Sequence, residues 1–142
     1  MNKRNLDVRS QITFLYYEDL EPIAAFYGET LGLDLVEDQG WAKIYAAGER
    51  AFVGIVGGDK GFRRPQEENA VLVTLVVDDV DGWYAHLEAQ GAKLLTPIKD
   101  VEDIQVRGFF LEDPGGYSLE IQQFLDPRTA AVFHGRPDGD TA

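Results

Sequence analysis

Two stretches of the chain carry apolar residues at helical spacing, and short extended runs surround each of them. The pattern from Ile12 to Leu35 returns about 60 residues later, from Leu72 to Leu94. Each copy opens on an apolar run, ITFLYY and then LVTLVV, and passes through an acidic pair, Glu18-Asp19 and then Asp78-Asp79. A helix follows in both. Gly32 closes the first and Gly91 the second, where a left-handed cap suits a residue without Cβ. In the first helix Ile23, Phe26, Tyr27 and Leu31 form the apolar face. Asp19 is expected to cap its first turn, which tolerates Pro22 because the missing N–H has no partner to lose. In the second helix Asp79 is the expected cap and Val80, Trp83 and Leu87 face inward.

Strand candidates separated by turn residues follow each helix. They are GLDLV, WAKIYAA and RAFVGIV in the first copy, and GAKLL, VRGFFLE and YSLEIQQF in the second, the last two joined by Asp113-Pro114-Gly115-Gly116. This order predicts an α+β fold, one domain of two βαβββ modules at 11–57 and 70–125. A glycine-rich, charged linker at 58–69 joins the modules and a tail occupies 126–142. The tail carries an apolar patch, Ala130 to Phe133, whose docking place the sequence does not give, and its end, GRPDGDTA, reads as disordered.

A chain of 142 residues can bury the core of one globular domain, and two independent domains would be a squeeze. No segment approaches the roughly 20 apolar residues of a membrane helix, and the polar start MNKRNLDVRSQ lacks the apolar stretch of a signal peptide, so a cytoplasmic location is expected. The absence of cysteine removes disulfides, thiol catalysis and cysteine-containing zinc sites. Net charge is -12, from 25 acids against 13 bases, a field that repels nucleic acid and anionic membranes. It would favour a cationic small molecule, although solubility alone accounts for such acidity.

The blocks YYEDLEPIAAFYGETLGL, VVDDVDGWYAHLEAQGAKL and FFLEDPGGYSLEI resemble the vicinal oxygen chelate superfamily of glyoxalases, bleomycin-resistance proteins and extradiol dioxygenases, over about residues 11 to 125. The resemblance implies curled mixed sheets that form a cleft, and a homodimer. It also implies where metal-dependent relatives carry ligands: a His or Gln on the first strand of each module and a Glu near the end of each. Those positions hold Ile12 and Leu72, hydrocarbon that binds no metal; the stretch AFVGIV contains no acid. Glu120, in the DPxGxxxE pattern from Asp113, is the one retained ligand-type residue. Neither metal nor other cofactor is therefore expected. Gln11 is offset by one residue, which puts it on the opposite face of the strand. His86, on the second helix, reads as a partly buried packing residue, and His134, in the tail, as incidental.

Strand alternation sorts the remaining positions. Leu119 and Ile121 face the helix, which leaves Ser118, Glu120 and Gln122 toward the cleft beside Leu72, Thr74 and Val76, with Ile12, Phe14 and Tyr16 joining by family register. Lys43 and Arg107 are the nearest cationic partners for Glu120 that the strands offer, and Trp41, Lys43 and Tyr45 form either a stacking wall or an exposed face. The candidate ligand-binding residues are Phe14, Tyr16, Leu72, Thr74, Arg107, Ser118, Glu120 and Gln122. The expected function is metal-free binding or sequestration of a small aromatic or cationic compound. The alternative is a lyase, isomerase or dioxygenase, working either with a divalent metal on a rearranged ligand set or with Glu120 as a metal-independent base.

Overall fold

A computed structural model describes residues 6–135. They divide between Glu68 and Asn69 into two compact units. The first unit runs β1 (Gln11–Tyr17), α1 (Glu21–Ala25), a π-helical turn (Phe26–Thr30), β2 (Asp34–Asp38), β3 (Ala42–Ala46) and β4 (Ala51–Gly57). Its sheet is ordered β1-β4-β3-β2, with β1 parallel to β4 and the other pairs antiparallel. The second runs β5 (Leu72–Val76), α2 (Val80–Ala89), β6 (Lys93–Leu94), β7 (Lys99–Val101), β8 (Val106–Glu112), β9 (Ser118–Phe124) and α3 (Pro127–Phe133). Here the order is β5-β9-β8-β6, with β5 parallel to β9 and β7 also on β8. The first unit therefore has the expected βαβββ order, and the second has it with one short strand added, β7, which the sequence pattern did not mark; both are mixed α+β. A helix between first and last strands is what lets those two lie parallel.

In the first unit the helix-facing side of the sheet is Leu15, Tyr17, Tyr45, Val53 and Ile55, all buried, against Ile23, Phe26, Tyr27 and Leu31. The helix begins later than Asp19 suggests. Leu20 is the N-cap and makes no side-chain bond, while Asp19 accepts the Glu21 N–H at 3.2 Å ahead of the helix. Its end widens into the π turn, closed by the Leu31 N–H on the Phe26 carbonyl. Gly32, at φ 73°, then turns the chain.

The second unit repeats the scheme with Phe109, Leu111, Leu119 and Ile121 fully buried beneath Val80 and Leu87 of α2. Asp79 caps α2 as expected, accepting from the Gly82 N–H at 3.0 Å. Tyr84 makes the edge-on contact with Phe109 at 4.9 Å, while Trp83 packs against His86. His86 is exposed rather than partly buried, because it falls on the outer side of α2. The tail from Asp126 forms helix α3, where the sequence offered only an apolar patch. Gly135 is described, but the rest of the segment read as disordered, 136–142, lies outside the described residues. Among the described residues no helix is long and apolar enough to cross a membrane.

Gly108 is the tightest backbone approach in the second sheet. A Cβ there would lie 2.6 Å from the Ile121 carbonyl oxygen, a main-chain atom of the paired strand that cannot swing aside. A Cβ on Gly54 of the first sheet would instead meet the Phe14 ring at 2.4 Å, and that ring is 40% exposed and can move. Gly108→Ala is therefore expected to destabilise by ~1–3 kcal/mol, the usual cost of overpacking, and Gly54→Ala by less. Thermal melts of the two variants beside the parent protein decide the order.

Candidate functional site

The site starts at a turn. Asp113 is 2% exposed and its carboxylate accepts the N–H groups of Gly115 and Tyr117, each at 2.9 Å, while its own N–H donates to the Tyr117 carbonyl. Gly116, at φ 97°, supplies the left-handed residue that the turn needs. This closed turn fixes the antiparallel register of β8 on β9, which pairs Glu112 with Ser118 and Phe110 with Glu120. The parallel register of β5 on β9 pairs Leu72 with Ser118, Thr74 with Glu120 and Val76 with Gln122. Paired residues share a face, so Leu72, Thr74, Val76, Phe110, Ser118, Glu120 and Gln122 stand together on the side away from α2.

Three of these residues are hydrogen-bonded. Thr74 Oγ1 donates to Glu120 Oε1 at 2.8 Å, and Gln122 Nε2 donates to Glu120 Oε2 at 3.2 Å. The carboxylate is half-buried and each of its oxygens is held by a neutral donor. Among the described residues no cationic side chain is ion-paired with it. Leu72 and Phe110, 48% and 37% exposed, give the surroundings their apolar character.

Neither cation expected to pair with Glu120 does so. Arg107 pairs with Gln123 across the strands, in phase with Phe109 and Leu111, so it lies on the α2 side of the sheet, opposite Glu120. Its guanidinium donates to Asp81 at 2.7 and 3.2 Å and to Asp100 at 2.9 Å, tying β8 to α2 and to β7. The hydrogen bond to Asp81, then that to Asp100, raises the Arg107 pKa, and Arg107 in turn holds the Asp81 carboxyl below its usual value. Lys43 belongs to the first unit and pairs with Asp38 at 2.9 Å; that hydrogen bond lowers the Asp38 pKa. Tyr45 is no part of a stacking wall either. It is 3% exposed in the helix-facing core, next to Tyr27 at 6.2 Å, and burial raises its phenol pKa.

Phe14 and Tyr16 lie on the first sheet, on the side away from its helix. Their register partners are Gly54 and Val56. Gly54 occupies the place in β4 that Glu120 occupies in β9, since Phe14 and Thr74 are equivalent in the repeat. The Phe14 ring covers the space where a side chain at 54 would begin. In the first sheet, then, positions 12 and 54 offer no metal donor, and in the second, position 72 offers none and position 120 a single carboxylate. Among the described residues no group of three or more His, Asp or Glu side chains could hold a metal ion. An open catalytic metal site takes about three protein ligands, and these residues do not fit one.

Sequence reasoning passed over Phe110. Its signal was available, because Phe109 and Leu111 on either side are core residues and alternation sends Phe110 to the Glu120 side.

The family model described as Glyoxalase/Bleomycin resistance protein/Dioxygenase superfamily matches residues 9–121. No curated protein matches the chain. Among solved structures, the chain is similar to lactoylglutathione lyase from Agrobacterium tumefaciens, at 21% identity over 85% of this chain and 96% of that one, with a TM-score of 0.64. It is similar to TioX from Micromonospora sp. ML1, at 19% identity over 82% and 98%, with a TM-score of 0.69. A glyoxalase/bleomycin resistance protein/dioxygenase from Nocardioides shares 18% identity over 96% and 90%, with a TM-score of 0.68. At these identities the likeness is one of fold.

The placement of Arg107 has a consequence in acid. The Asp81 pKa is lower in the folded chain than in the unfolded one, so the stability it contributes is present above the unfolded value, ~3.9, and is lost as pH falls through the folded value. Arg107→Gln should flatten that acid limb. Melting temperatures of variant and parent at pH 7 and pH 3 should differ less at the lower pH; an unchanged gap would show that the Asp81 charge contributes nothing to it.

Proposed function

Because the chain belongs to the Glyoxalase/Bleomycin resistance protein/Dioxygenase superfamily, we propose that it binds and sequesters a small aromatic or cationic molecule without a metal, at the Glu120 face of its second sheet. One observation carries this reading. Glu120 is a half-buried carboxylate oriented by Thr74 and Gln122 and bordered by Leu72, Val76 and Phe110, with its charge neutralised by no cationic side chain among the described residues. A buried charge without a counter-charge is costly. An ammonium, amidine or other charged donor on a ligand would supply what Arg107 and Lys43 do not. The apolar neighbours would take up the hydrocarbon or aromatic remainder, the usual division of labour in a small-molecule site.

Metal chemistry gains no support from the donor set. Ile12, Leu72 and Gly54 are hydrocarbon or bare backbone, and a lone glutamate leaves a divalent ion nothing to be chelated by. We also propose a homodimer, in keeping with the superfamily and with exposed apolar side chains at Ile12, Phe14 and Leu72. Native mass spectrometry with elemental analysis, on protein purified without chelators, should give a dimer mass and no stoichiometric Fe, Mn, Ni or Zn. A stoichiometric metal would sink the metal-free reading, and a monomer at micromolar concentration the dimer.

Glu120→Gln keeps the side-chain shape and removes the charge. Charge-assisted hydrogen bonds are worth ~1.5–3 kcal/mol, so affinity should fall by roughly one to two decades while the fold persists. The measurement is calorimetric titration with a ligand found by screening aromatic cations and glycopeptide antibiotics. Unchanged affinity would remove Glu120 from recognition. Binding retained with turnover lost would make it a base.

A further inference from the structure

We infer that α3 is a strap held across one end of the Glu120 face by a neutral histidine, and that protonation of His134 releases it. The edge of β9 shows why a histidine is needed. The last rung from the β5 side is the Val77 N–H to the Gln122 carbonyl at 2.9 Å, after which the chain leaves for α2 at Asp78 and Asp79. The next β9 amide on that edge is Phe124, and no strand carbonyl reaches it. His134 Nε2 takes the place of one, accepting the Phe124 N–H at 3.0 Å.

A main-chain amide can only donate, so Nε2 must present its lone pair. The neutral ring then carries its proton on Nδ1, which faces Asp78 Oδ1 at 2.7 Å. The imidazole is thus fixed in one tautomer between a backbone donor and a carboxylate. Phe133, its neighbour in the helix, stacks on Phe124 with ring centroids 4.7 Å apart and planes 19° apart. Phe124 follows Glu120 and Gln122 at intervals of two, so the stack stands on their face, roughly 13 Å from Glu120 along the strand.

Little else holds α3 down. It is seven residues long and none of them is buried; Val132 and Phe133 remain 72% and 55% exposed. So short a helix does not persist by its own propensity. Its attachment therefore falls to the Phe133 stack and the His134 bridge. Protonation puts a second donor on the ring, opposite the Phe124 N–H, and the two hydrogens then face each other. The charged group in contact with the ring is Asp78, whose side chain is 86% exposed, so water weakens its pull on an imidazolium. The other nearby charges are engaged elsewhere: Asp79 caps α2, and Asp126 and Arg128 on the strap itself pair at 3.6 Å. β9 presents only the uncharged Gln122, Gln123 and Phe124 at this end. The imidazolium can keep Asp78 only by turning away from Phe124, and the strap loses its anchor once the ring is protonated.

Release would open the far end of the Glu120 face. That consequence rests on the proposed function, whereas the strap does not, so its test uses no ligand. In the full chain at pH 8, nitrogen NMR should find the His134 proton on Nδ1. Amide exchange, corrected for the intrinsic pH dependence, should show the Phe124 protection factor falling at least about tenfold between pH 8 and pH 5, while that of Val77, one rung away, stays level. His134→Gln offers an acceptor that does not titrate and should make Phe124 protection independent of pH. A proton on Nε2 at pH 8, a flat Phe124 profile in the parent protein, or a parallel fall at Val77 or in His134→Gln would each overturn the inference. The tautomer measurement stands even if the variant does not fold.

Discussion

The buried carboxylate of Asp113 is the constraint on which the Glu120 face depends. By accepting two amides of its own turn it closes the β8–β9 connection at a single length, and a strand pair closed at one length has one register. A slip by one residue would send Leu119 and Ile121 to the open side and carry Glu120 under α2, where a carboxylate would face Phe109 and Leu111. The hydrophobic core and the position of the charge are thus set by the same few hydrogen bonds.

The two units use one scaffold with opposite polarity. Where Thr74 and Glu120 face each other across β5 and β9, Phe14 and Gly54 do so across β1 and β4. One pairing makes a solvated, charged spot in an apolar surface, and the other an aromatic surface lying on bare backbone. Both leave the helix-facing side untouched, because alternate residues carry it. That separation is what allows a repeated fold to vary its open faces without losing its cores.

The repeat, the helix faces, the Asp79 cap and the left-handed glycines were legible because they depend on neighbours a few residues apart. Alternation then placed Thr74, Ser118, Glu120 and Gln122 on one face of one sheet, since Leu119 and Ile121 give the phase of β9 without ambiguity. The same reasoning, applied to Phe109 and Leu111, would have put Arg107 on the helix side, but positive charge drew it toward Glu120. Its actual partners, Asp81 on α2 and Asp100 on β7, depend on contacts between elements that spacing does not encode. The docking of α3 was illegible for a similar reason. Its histidine completes a ladder whose gap exists only once β5 has turned away.

The covering of Gly54 by Phe14 also bears on how such a chain could change. A carboxylate introduced at position 54, where the second sheet has its glutamate, would find its first carbon 2.4 Å from the Phe14 ring. The aromatic would have to be displaced before any acid there could point outward. The two positions are coupled, so a side chain at 54 comes with a swing of the Phe14 ring, which its exposure permits. Substitution at position 54 would therefore remodel two residues of the open face of the first sheet at once, the new side chain and the ring it turns aside.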